Sequence, residues 1–99
     1  MVFRFREQLY SDGFSDRKLK SVCRQIKYGK VNPGIFIITL PLTDDGILEI
    51  YRYIELLQPP YRKLKQEVKV VGIAKSREDA FSLVERIVKD VGVEEVKLL

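Results

Sequence analysis

Apolar residues along this chain change period several times, and each change predicts an element. Phe3, Phe5 and Leu9 alternate with Arg4, Arg6 and Gln8, the two-residue period of a half-exposed edge strand, with Glu7 out of phase. Ser11-Asp12-Gly13 is turn chemistry, and Ser15 is placed to cap a helix. From there Leu19, Val22, Cys23 and Ile26 recur at i, i+3, i+4 and i+7. A first helix is therefore expected from about Asp16 to Tyr28, with Gly29 in the stop position. Val31-Asn32-Pro33-Gly34 turns the chain into Ile35 to Leu40, a run without polar alternation that predicts a strand covered on both faces.

Pro41 has no N–H to give to a ladder and ends that strand, and Thr43 or Asp44 can cap the next helix. Between Asp45 and Leu57 a helical wheel gathers Ile47, Ile50, Tyr51, Ile54 and Leu57 on one side. Glu49, Arg52 and Glu55 form a narrow charged stripe that also contains Leu48 and Leu56, so this second helix is expected to be apolar almost all round. Pro59-Pro60 ends it, and Tyr61 to Gln66 is a basic connector. Val68, Val70, Val71, Ile73 and Ala74 predict a third strand. Ser76 with Asp79 resembles a capping box, and Ala80, Phe81, Val84, Ile87, Val88 and Val91 form an amphipathic third helix stopped by Gly92. Val93 to Leu99 is expected as a short last strand with Val96 and Leu98 facing inward.

This order of elements predicts one α/β domain over residues 1–99, with three or four strands in a mostly parallel sheet and three helices. A ferredoxin-like α+β arrangement is the alternative, because the connector from Gln58 to Glu67 is long enough to reposition the third strand. No apolar run approaches the ~20 residues that span a bilayer, and Met1-Val2-Phe3-Arg4 does not open like a signal peptide. A cytoplasmic location is the expectation, and the single cysteine, Cys23, agrees with a reducing compartment.

Charge and composition narrow the chemistry. Histidine is absent, which removes the commonest general base and metal ligand, and no spacing of carboxylates or glycines makes a metal or nucleotide signature. No cofactor or metal is expected. Asp44 and Asp45, with Asp12 or Asp16, are acids of the kind that hold Mg²⁺, yet acids at a helix start are explained by its dipole alone. Gly29 to Gly34 has only the glycine spacing of a phosphate loop and precedes a strand where the motif follows one. Cys23 has basic neighbours but lies within the apolar stripe, where a thiol is core filler.

Three surfaces remain as candidates. Lys75, Ser76 and Arg77 can receive an anion at the carboxyl edge of a parallel sheet, together with the loops Ser11 to Asp16 and Pro41 to Asp45, although Ser76 is also explained as a cap. Arg17, Lys18, Lys20, Arg24 and Lys27 make the first helix strongly basic, a face that can contact phosphates or an anionic membrane surface, although a solvated face is the default for an amphipathic helix and explains these residues more readily. Leu48, Tyr51, Arg52 and Leu56 on the second helix would form an apolar patch suited to a homodimer or another protein partner, unless the tail or the proline connector covers it.

IFIITLPLTDDGILEIYRYIELLQPPYRK, followed by VVGIAKSREDAFSLVERIVKDV, resembles short bacterial proteins of clostridia-type genomes that carry no assigned function. The similarity covers roughly residues 34–91 and rests on apolar spacing. It implies a small α/β domain and no activity. The expected function is a non-enzymatic self-associating or partner-binding domain. One alternative is a weak nucleic-acid or anion binder using the basic helix, and another is an enzyme acting on a small anionic ligand at the carboxyl edge.

Overall fold

A computed structural model describes residues 1–42 and 46–99. They form an α/β domain with a four-stranded mixed sheet and one α-helix on each face. The strands are β1 (Val2–Ser11), β2 (Phe36–Thr39), β3 (Glu49–Arg52) and β4 (Glu67–Ala74), in the order β1-β4-β2-β3. The α-helices are α1 (Asp16–Lys27) and α2 (Arg77–Val91). Only β1 and β4 run parallel; β2 is antiparallel to both of its neighbours.

The expected mostly parallel sheet is therefore corrected. The apolar run predicts coverage on both faces, and β2 has it: Ile35 and Ile37 join the core under α1, while Ile38 lies under α2 and Phe36 against Ala80 of that helix. Burial on two faces does not specify strand direction, because a central antiparallel strand meets it equally well. The ferredoxin-like alternative has a helix between its third and fourth strands. Here β2, β3 and β4 follow one another with only 3₁₀ turns between β3 and β4.

The second predicted helix does not form. Glu49–Arg52 is a strand, and the chain continues into a 3₁₀ turn at Tyr53–Leu57 and another at Tyr61–Lys63. Leu48 and Ile50 pack on the α2 side and Tyr51 and Tyr53 on the α1 side, the alternation of a strand. A short segment apolar in every direction fits a helix or a two-sided strand; here it pairs antiparallel with β2, Thr39 opposite Glu49 and Phe36 opposite Arg52. The proposed caps Thr43 and Asp44, and the acids Asp44 and Asp45, lie outside the described residues.

α1 and α2 begin as predicted. Ser15 Oγ accepts from the Lys18 N–H at 3.2 Å and Ser76 Oγ from the Asp79 N–H at 3.0 Å. α1 buries Val22 and Ile26, and Gly29 follows at φ +67°. On α2 the buried residues are Ala80, Leu83 and Ile87, whereas Phe81, placed in the apolar stripe from sequence, is 55% exposed. The expected last strand is instead a 3₁₀ turn at Glu95–Leu98, which buries Val96 and leaves Leu98 79% exposed.

β4 carries an irregularity that explains its mixed pattern. Ile38 pairs with Gly72 but Thr39 with Val70, so Val71 is an extra residue against β2. Val68 and Val70 consequently face α1, Val71 faces α2, and Ile73 returns to the α1 side. On the other flank Phe5 pairs with Val70 and Tyr10 with Gly72, so residues 6–9 of β1 are out of register. This is where Glu7 breaks the alternation.

Candidate binding surface

Strand direction decides which loops meet. β1, β3 and β4 all end at one edge of the sheet, and β2 ends at the other. Ser11 to Asp16 and Lys75 to Arg77 accordingly share the first edge, where the Asp12 N–H donates to the Ile73 carbonyl at 3.2 Å and the Lys75 ammonium lies 5.2 Å from the Phe14 ring centre. Pro41 leaves from the opposite edge, so the expected grouping of three loops is corrected. Arg52 takes its place. Its guanidinium sits 5.7 Å from the Phe36 ring centre, and that of Arg77 sits 5.6 Å from the same ring.

Of the proposed anion-binding residues, Lys75 and Arg77 are exposed, but Ser76 spends its hydroxyl as the α2 cap. The basic residues Arg17, Lys18, Lys20, Arg24 and Lys27 are all exposed along α1. The four proposed interface residues do not share a surface. Leu48 is half-buried on the α2 side, and Arg52 is exposed. Tyr51 is half-buried on the α1 side, where its hydroxyl donates to Glu49 Oε1 at 2.9 Å and its ring meets Tyr61 edge-on. Leu56 is 1% exposed and belongs to the core. The patch was a product of helical spacing, and it disappears with the helix.

A different concave surface is formed where the C-terminal end of α1, the start of β1 and the 3₁₀ turns converge. It is a cleft of about 460 Å³ with Phe3, Ile26, Leu56 and Leu57 among its lining residues. Tyr28 and Val31 also line it, and they are 67% and 69% exposed. Lys27 and Arg62 are its charged side chains, and among the described residues no carboxylate lines it. Among the described residues the only side-chain ion pair is Arg4 with Glu67 at 3.3 Å, so both cleft cations are without a carboxylate partner there.

The local sequence builds this cleft directly. Gly29 turns the chain at the end of α1, the Lys30 N–H donates to the Gln25 carbonyl at 2.9 Å, and the Tyr53 hydroxyl donates to the Lys30 carbonyl at 2.8 Å. Tyr53 is fully buried and packs edge-on against Phe3 at 5.9 Å, which ties the loop carrying Tyr28 and Val31 to the sheet. Burial pushes the Tyr53 phenol up to about 12. Sequence reasoning missed the cleft. The available signal was that Tyr28 and Val31 lie at and beyond the end of the first helix, outside its apolar stripe.

A second groove, about 350 Å³, runs between α1 and the irregular part of β1 and is lined by residues including Leu9, Leu19, Lys20 and Cys23. Burial raises the Cys23 thiol above its ordinary value, which keeps it protonated at neutral pH. No three His, Cys, Asp or Glu side chains among the described residues gather as a metal site. No described helix is long and apolar enough to cross a membrane. Compared with protein-family models, curated proteins and solved structures, the chain matches none of them.

Proposed function

We propose that this chain is a non-enzymatic binding domain that engages protein surface at the cleft beside the C-terminal end of α1. The observation that carries this reading is an open cleft over the α1-side core, bordered by two largely exposed apolar side chains, Tyr28 and Val31, and by the cations Lys27 and Arg62. Buried aromatic and aliphatic anchors with flanking arginine are the composition of contact centres between proteins. The volume suits one or two side chains from a partner, and the flanking exposed residues extend the contact beyond what a small ligand covers. A reducing, cytoplasmic setting fits the lone half-buried Cys23.

Sedimentation velocity of the protein and of its Tyr28→Ser/Val31→Ser variant tests the self-associating form of this reading. Species heavier than the 11.5 kDa chain are expected for the parent protein and should be lost in the variant. A parent protein that remains at the monomer mass at every concentration refutes it.

Arg52 and Arg77 around Phe36, together with the basic face of α1, favour a second reading as a weak anion or nucleic-acid binder. Its mark is affinity for a single-stranded oligonucleotide that falls steeply with salt and is reduced by Arg52→Gln/Arg77→Gln. Salt-insensitive binding, or none, removes that reading.

A further inference from the structure

Resting on the cleft reading above, we propose that the cleft is filled by a second copy of this chain, whose tail at Val93–Leu98 docks head-to-tail against Lys27 and Arg62. The tail has the shape and charge for it. It is held in a 3₁₀ turn by hydrogen bonds from the Glu95 N–H to the Gly92 carbonyl at 3.1 Å and from the Leu99 N–H to the Val96 carbonyl at 3.0 Å. In a 3₁₀ turn residues three apart eclipse one another. Val96 and Leu99 thus turn inward, where Val96 is fully buried and Leu99 packs against the α2-side core. Glu95 and Leu98 share an exposed face, and Leu98 at 79% is the most exposed large apolar side chain among the described residues. Val93 is 52% exposed beside Glu94. Glu94 and Glu95 outnumber the one tail cation, Lys97, and an apolar anchor beside net negative charge is the complement of a cleft whose cationic side chains, Lys27 and Arg62, have no carboxylate partner among the described residues.

Other ways of pairing copies fit less well. Two clefts meeting across a twofold axis would bring Lys27 and Arg62 against the same residues of the partner, a like-charge contact on a chain of net charge +4. The tail packs with α2 and the cleft is built on the α1 side, so a molecule does not fill its own cleft. With tail and cleft on opposite faces of the sheet, a head-to-tail contact is heterologous and gives rings or open chains.

Charge reversal in the full-length chain tests this. The tail variant is Glu94→Lys/Glu95→Lys and the cleft variant is Lys27→Glu/Arg62→Glu; all four residues are exposed, and circular dichroism checks that each variant folds. Each variant alone should associate about tenfold more weakly than the parent at low ionic strength, with the difference shrinking as salt is raised. Mixed in equal amounts they should assemble about as strongly as the parent, the two variants alternating, because the basic tail of one meets the acidic cleft of the other and the acidic tail of the second meets the basic cleft of the first. Leu98→Ser should weaken the parent assembly without a change in charge. A cleft variant that is monomeric beside a tail variant that assembles like the parent overturns the tail as occupant and leaves the cleft reading standing. The same holds if both variants weaken and their mixture forms no complex. If both assemble like the parent, neither surface is used. If the parent never assembles, this inference falls together with the self-associating form of the cleft reading.

Discussion

Replacing Gly72 by alanine probes the bulge that sets which side chains of β4 face which helix. A Cβ at this position lies 3.1 Å from Leu83 Cδ2, 3.2 Å from Ile38 Cδ1 and 3.5 Å from the Tyr10 carbonyl oxygen. Carbon pairs are at their best near ~3.5–4.0 Å, so the new methyl crowds two side chains at once. Both are in the core, Leu83 at 1% and Ile38 at 0% exposure, and neither has open space to move into. Overpacking of this kind costs about 1–3 kcal/mol. Gly72 does not have positive φ, so alanine is unstrained there and recovers about 0.4–1 kcal/mol through the unfolded chain. The net expectation is a loss of about 1 kcal/mol, or about 4–8 °C in Tm for a domain of this size. Urea unfolding of Gly72→Ala, Leu83→Ala and the double variant measures it. Leu83→Ala alone should cost about 2–5 kcal/mol, and the double variant should be more stable than the sum of the singles by over about 0.5 kcal/mol because the methyl enters the space vacated. An unchanged or stabilised Gly72→Ala, or simple additivity, would refute the packing argument.

Three further outcomes are expected. Thr39 is fully buried and its Oγ1 has no hydrogen-bond partner among the described residues, so Thr39→Val should raise stability by about 1 kcal/mol in thermal unfolding; a fall would show that the hydroxyl is satisfied. Tyr53→Phe removes the hydrogen bond to the Lys30 carbonyl and should cost about 1 kcal/mol in urea unfolding at neutral pH. Because Tyr53 is held at about 12 against an ordinary 10, its share of stability is complete below pH 10 and is lost as pH rises through 12. The phenylalanine variant should therefore lose stability less steeply over that window, and parallel curves would contradict the burial of this phenol. Cys23, with its acidity suppressed by burial, should react with iodoacetamide at pH 7.5 at least about tenfold more slowly than in the urea-unfolded chain; equal rates would place it outside the core.

The predicted elements survive where one period dominates and fail where two periods fit. α1 was legible because its stripe is bracketed by a capping serine and a terminating glycine that leave no other reading. The stretch from Ile47 to Leu57 satisfied helical spacing, yet it is a four-residue strand followed by a 3₁₀ turn. Its isoleucines and tyrosines serve two sheet faces, and antiparallel pairing with β2 from Glu49 to Arg52 takes the place of the helix. That single misreading also produced the parallel sheet. Once the segment after β2 is a hairpin strand, β2 has an antiparallel neighbour on each side, and the crossover joining the parallel pair becomes long.

Binding surfaces were less legible because they depend on contacts distant in sequence. Phe3, Ile26, Val31, Leu57 and Arg62 line one cleft only after β1, α1 and two 3₁₀ turns have been brought together, and no periodicity encodes that meeting. The tail shows how sharply a surface depends on local geometry. With a strand period, Val96 and Leu98 would point the same way, and Leu98 would belong to the core. In the observed 3₁₀ turn the shared pair is instead Glu95 and Leu98, which places an apolar side chain beside a carboxylate on the outside. The same residues therefore change from packing to recognition through a change of period alone.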